Sequence, residues 1–183
     1  MSLTVPLGVG LVLGLIGPVT EKSHDPVSVV VNAVFSGGWS WACYAFLVGR
    51  LRRSKVESAL LPALGLAIGV VTYYLLKGGS TSAILVWGTL AFVFGAPVGF
   101  LGNAARIPGV GGLGFRLLIP LVAFYETSMR LTTEARGSSA AVLATWNAVR
   151  FTAVAVALAL VGQVVRSWWQ ARRTRSSGPE APS

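Results

Sequence analysis

The chain has 183 residues, of which 54% are hydrophobic and only 11% charged, and it carries a formal net charge of +9 at a mean hydropathy of +0.69. Roughly a quarter of the residues of an ordinary soluble domain are charged, so the composition excludes one and points to a chain solvated by lipid. The positive charge calls for no nucleic-acid partner, because Lys and Arg near membrane-spanning segments set orientation and attract anionic headgroups.

A helix needs about 20 apolar residues to cross a hydrocarbon core, and six stretches are long enough. The first covers 3–19; with no basic n-region and no small-residue cleavage site, it is expected to be retained rather than removed as a signal. The polar run Glu21-Lys-Ser-His-Asp25 separates it from the second, 26–49. The third covers 56–76, the fourth 83–103 and the fifth 114–131, which Arg116, Glu126 and Arg130 interrupt. The sixth covers 140–165, and the tail from Ser176 has a disordered composition. The expected fold is all-α: one polytopic bundle of six spans over residues 1–175, with residues 176–183 as a tail.

Basic residues in short loops stay on the cytoplasmic side. With the N-terminus inside, the cytoplasmic segments hold Arg50, Arg52, Arg53, Lys55, Arg106 and the tail from Arg166 to Arg175, whereas Glu21, Asp25, Lys77, Glu134 and Arg136 fall outside. Charge bias and span number therefore agree on cytoplasmic termini in a plasma membrane. The pair Trp168-Trp169 among arginines fits an interfacial anchor.

Small residues one helical turn apart let helices approach closely in lipid. Gly10 and Gly14, Gly65 and Gly69, and Gly95 and Gly99 have this spacing. They are read as seams within the chain, with oligomerisation through the same faces as the alternative. The string Gly109-Val-Gly-Gly-Leu-Gly114 satisfies G-x-G-x-x-G but has no strand before it, so it is read as a cytoplasmic turn and not as a dinucleotide site. No metal-ligand spacing, phosphate loop or nucleophile elbow occurs, and no cofactor or metal is expected. Cys43, the one cysteine, is read as a packing residue, and His24 as a solvated loop residue.

Glu126 is the residue that demands an explanation. An ionisable side chain inside a span is costly and faces a protein interior or a wet cavity. Arg130 lies one turn later, and Arg150 and Asn147 lie in the sixth span. With a rise of about 1.5 Å per residue, Glu126, Asn32 and Arg150 fall roughly 8, 9 and 15 Å below the outer end of their helices. Tyr73, Tyr74, Trp87 and Trp146 reach the same half, with Trp39, Trp41, Tyr44 and Tyr125 nearby. The expectation is one aromatic-walled pocket in the outer half of the bundle, opened by a kink at Pro120. The alternative is an ion pair with Arg130 or Arg150 that only fixes helix register.

A carboxylic acid among aromatic faces, which stabilise cations, suits protonation and cyclisation of an isoprenoid reached from the bilayer. Glu126 would donate the proton, and Asp25, Asn32, Asn147 and Arg150 would position a hydrophobic substrate. In size, span number and an acid among aromatics the chain resembles the small membrane-embedded terpene cyclases. The segments VNAVFSGGWSWACYAFLVGR at 31–50, GAPVGFLGN at 95–103 and PLVAFYE at 120–126 resemble a family of uncharacterised actinobacterial integral membrane proteins, which implies a polytopic plasma-membrane fold and no activity. A proton- or cation-coupled transporter and a non-catalytic subunit of a membrane complex are the alternatives. Against transport, the sequence shows no inverted repeat and no polar row reaching the inner side.

Overall fold

The computed structural model describes residues 4–23 and 25–176, apart from the side chains of residues 171 and 173–176. The expectations for His24 and for the tail beyond residue 176 lie outside the described residues. Those residues form seven α-helices, α1 Thr4–Thr20, α2 Pro26–Phe35, α3 Gly38–Leu51, α4 Lys55–Leu76, α5 Thr81–Ala104, α6 Val110–Thr133 and α7 Ala140–Ser176, with one 3-10 turn at Ala135–Gly137. No strand occurs among them, and α4, α5, α6 and the 140–170 part of α7 are each long and apolar enough to cross a membrane.

Local chemistry sets the helix starts. Asp25 caps α2 ahead of Pro26, its carboxylate accepting from the Val27 and Ser28 amides, as an N-cap followed by proline should. Ser54 and Ser80 do the same for α4 and α5 through single hydroxyls.

Three boundaries differ from the sequence reading. The stretch 26–49 is two helices broken at Ser36-Gly37, because two consecutive glycines weaken helix and serine offers local hydrogen bonds in its place. The Gly109–Gly114 string is not a turn. Only Gly109 is, with φ of 72°, and helix begins at Val110, where Gly112 packs so closely under the Ile107 carbonyl that a Cβ would collide with it. Finally, α7 continues to Ser176, well past the apolar stretch, with the lone Gly162 carried inside the helix and no proline along it. Its 37 residues make a rod of about 55 Å.

The glycine seams lie inside the chain. Gly10 meets Gly65 and Gly14 meets Gly69, backbone against backbone, so α1 and α4 run parallel. Gly95 and Gly99 of α5 pack on Ala63, Ser58 and Pro62 of the antiparallel α4, while Gly49 and Gly102 close α3 against α5. Tyr44, Ala45, Val48, Leu61 and Leu66 form the apolar core between these helices. At the Arg52 end of the bundle the Arg52 carbonyl accepts from Asn103 Nδ2 at 2.6 Å and Arg106 Nη1 at 2.9 Å, tying the end of α3 to the end of α5.

Candidate functional site

The break between α2 and α3 explains Glu126. A helix start exposes amide donors that lipid cannot satisfy, and the N-cap of α3 is Gly37, which has no side chain to supply an acceptor. Glu126 supplies it from α6: Gly38 N donates to Oε1 at 2.9 Å and Trp39 N to Oε2 at 2.8 Å. Its negative charge also sits against the positive end of the α3 dipole. A Cβ on either Gly37 or Gly38 would stand 3.3 Å from a carboxylate oxygen, so glycine is what lets the carboxylate approach.

Arg130, one turn further along α6, holds the other side of the break. Its Nε donates to Glu126 Oε1 at 3.2 Å, Nη2 stands in ion-pair contact with the same oxygen at 3.1 Å, and Nη2 donates to the Ser36 carbonyl at 3.4 Å. Its guanidinium lies 5.7 Å from the ring centre of buried Trp146. The remaining freed carbonyls are served locally. Phe35 O accepts from Trp41 Nε1 at 3.0 Å and from Ser40 Oγ at 3.3 Å, and Gly37 O accepts from Ser40 Oγ at 2.6 Å. An acid and a base on one helix thus replace the hydrogen bonds a continuous helix would have made.

The residues expected around a single pocket are divided among several places. Asn32, Trp41 and Tyr73 line a cavity of about 170 Å³ between α1, α2, α3 and α4, with Glu21, Phe35 and Ser36. The Asn32 amide has no hydrogen-bond partner among the described residues and is open to that space. Lys77 pairs with Glu21 and donates to Tyr73 Oη, two residues of that lining, and those two partners raise the Lys77 pKa above its ordinary value.

Trp39 faces elsewhere, into a groove of about 620 Å³ between α2, α3, α6 and α7. Glu126 borders neither space; it borders a shallow recess on the outer face of α6 with Tyr125, which is 67% exposed. Trp87 lines an apolar recess between α3, α4 and α5. Tyr44 is buried and donates to the Pro6 carbonyl at 2.7 Å. Tyr74 packs edge-on against Tyr73.

The structure does not bring Asp25 or Arg150 to Glu126. Asp25 is exposed and spends its carboxylate on the start of α2, where the Ser28 hydroxyl above all holds its pKa below the ordinary value. Arg150 donates to Asn147 Oδ1 on its own helix and stacks on Phe151, and Asn147 in turn donates to the Leu143 carbonyl. Both oxygens of Glu126 already accept hydrogen bonds, which is the arrangement of a fixed cap.

Sequence reasoning missed Ser36-Gly37-Gly38 as a break, although a Gly pair in an apolar run is a breaker signal. It also left Arg116 without a role. Arg116 lines the 620 Å³ groove together with Phe46, Pro120, Thr145 and Val149, and donates from Nε and Nη2 to the carbonyls of Ala105 and Ile107, both at 2.9 Å. No group of His, Cys, Asp or Glu able to hold a metal ion occurs among the described residues. No protein family, curated protein or solved structure matches the chain.

Proposed function

We propose that the chain is a plasma-membrane protein that crosses the bilayer six times and draws an apolar chain of the isoprenoid class from the lipid into the groove between α3, α6 and α7. Its termini are then cytoplasmic, with α2 and α3 together making the second crossing. Two observations support that topology. The parallel course of α1 and α4 is what one reversed crossing between them would give. The basic residues at 50–55, at 106 and beyond 166 fall at one end, as cytoplasmic segments do.

The observation that carries the ligand reading is the groove itself. Its volume of about 620 Å³ lies within the range of roughly 300–1,000 Å³ typical of small-molecule sites. Its walls are apolar except for Arg116 and two threonines, Thr145 and Thr152. Between Thr145 and Val156, both lining residues, α7 rises about 16 Å, enough for an extended chain. Glu126 serves this site indirectly, since its hydrogen bond to the Trp39 amide fixes the first turn of α3 and with it the Trp39 wall. Acid-initiated cyclisation would need Glu126 free to give a proton beside the substrate. Its position as a cap favours support of the wall over proton donation.

The test is photocrosslinking with a diazirine analogue of farnesol in nanodiscs. Labelled peptides should come from α3, α6 and α7, and Ala148→Trp, which fills the groove from an open position on α7, should abolish that labelling while leaving the fold intact. Labelling spread evenly over the lipid-facing surface of α5, or unchanged in Ala148→Trp, would overturn the reading.

A further inference from the structure

Arg116 is a cation in an otherwise apolar lining. Two of its three nitrogens are committed to the carbonyls of Ala105 and Ile107 at the turn between α5 and α6. Those acceptors are neutral carbonyls at the C-terminal end of α5, whose dipole offsets only part of the charge. No described carboxylate lies within ion-pairing distance of it. Nη1 has no partner among the described residues.

The position within the groove is also informative. Arg116 comes six residues after the start of α6, about 9 Å along it, and is the first α6 residue in the lining, so it stands at one end of the α6 wall of the groove. The surroundings at that end are basic, with Arg50, Arg52, Arg53, Lys55 and Arg106 against the single acid Glu57. A guanidinium that no carboxylate balances, at the end of an apolar trough, is complementary to an anion joined to an apolar tail, and a guanidinium fork suits phosphate oxygens in particular.

We infer that Arg116 is a headgroup site, and that the occupant of the groove is a single apolar chain ending in a phosphate, of the prenyl monophosphate kind, with the phosphate at Arg116 and the tail running past Phe46 and Pro120 toward Thr145. This rests on the groove reading and names its substrate class. The guanidinium keeps its two carbonyl bonds and offers Nη1 to the phosphate, so binding needs no rearrangement of the turn. A neutral prenyl alcohol fills the same trough without the charged contact.

The experiment compares farnesyl phosphate with farnesol for the full chain in nanodiscs of neutral lipid, by competition against the photoreactive alcohol. Loss of a charge-assisted contact is worth about tenfold in affinity or more. Farnesyl phosphate should therefore compete at about tenfold lower concentration than farnesol, and rising salt should erode that advantage without touching the alcohol. Arg116→Gln should bring the two ligands together at the farnesol value, and Arg116→Lys should keep most of the difference.

Equal competition by phosphate and alcohol in the wild-type protein, or an advantage that survives Arg116→Gln, overturns the headgroup site and leaves the groove standing. Failure of both ligands to compete overturns the groove reading, and the headgroup site with it. The wild-type comparison decides the matter even where Arg116→Gln does not fold.

Discussion

Glu126 shows how one residue is settled by hydrogen-bond accounting. Buried or lipid-facing amides left without acceptors cost about 1–3 kcal/mol each, and Gly38 and Trp39 present two of them to a single carboxylate. Glutamine in that place keeps one acceptor oxygen and sets an amide donor against a backbone donor. Glu126→Gln should therefore lower stability by about 2 kcal/mol, and Glu126→Ala, which orphans both amides, by more. Arg130→Gln should cost less, since its bond to Ser36 O is long at 3.4 Å. Unfolding of the purified variants in mixed micelles measures this order, and a fully stable Glu126→Gln would show that the cap carries little. The sequence disclosed half of this arrangement: Arg130 at i+4 was legible as a partner, because that geometry is local. That the true clients of the carboxylate are two amides 87 and 88 residues away was not legible, since nothing short of the fold brings α6 to the Gly37-Gly38 pair.

At the scale of elements, the glycine patterns were readable and so was their use. Spacing at i and i+4 announces a close approach whatever the partner: for the α1 pair the partner is the glycine pair of α4, and for the α5 pair it is Ala63, Ser58 and Pro62 of the same helix. Gly8 and Gly10 lie two residues apart on α1 and make a controlled comparison. A Cβ at Gly8 meets nothing within 4 Å, whereas one at Gly10 runs into the backbone of Gly65. Gly8→Ala should stabilise the protein by up to about 1 kcal/mol through helix propensity. Gly10→Ala gains the same propensity but must push two backbones apart, an overpacking cost of about 1–3 kcal/mol, and should be destabilising on balance. Thermal unfolding of the two variants reports the difference, and equal midpoints would mean that the α1–α4 seam is loose. The break in 26–49 stayed hidden at this scale because composition is averaged over a span: three small residues at 36–38 do not lower the apolar signal of the stretch around them.

For the whole molecule, the direction of the helices favours the proposed broken crossing over a re-entrant loop. Were α2 and α3 to enter and leave by the same face, α4 would start on the side where α1 ends and run back against it. The Gly10–Gly65 and Gly14–Gly69 pairs have the opposite sense, and the ion pair between Glu21 and Lys77 joins the trailing ends of α1 and α4, as two parallel crossings require. On the proposed topology the reversed crossing between them is made by α2 together with α3. Counting on from there places the turn between α5 and α6 on the same side as Arg52, and the turn before α7 on the other. Single cysteines read this out in a Cys43→Ser background. Gly137→Cys stands in open space and should react with an impermeant maleimide on intact cells. Ile107→Cys, exposed in its turn, should react only after permeabilisation. Reaction of both from the same side would break the alternation, and with it the assignment of the basic end and of Arg116 to the cytoplasmic leaflet. Opposite reactivity places the headgroup end of the groove at the inner surface, where the excess of arginine and lysine already makes the local potential favourable to an anion.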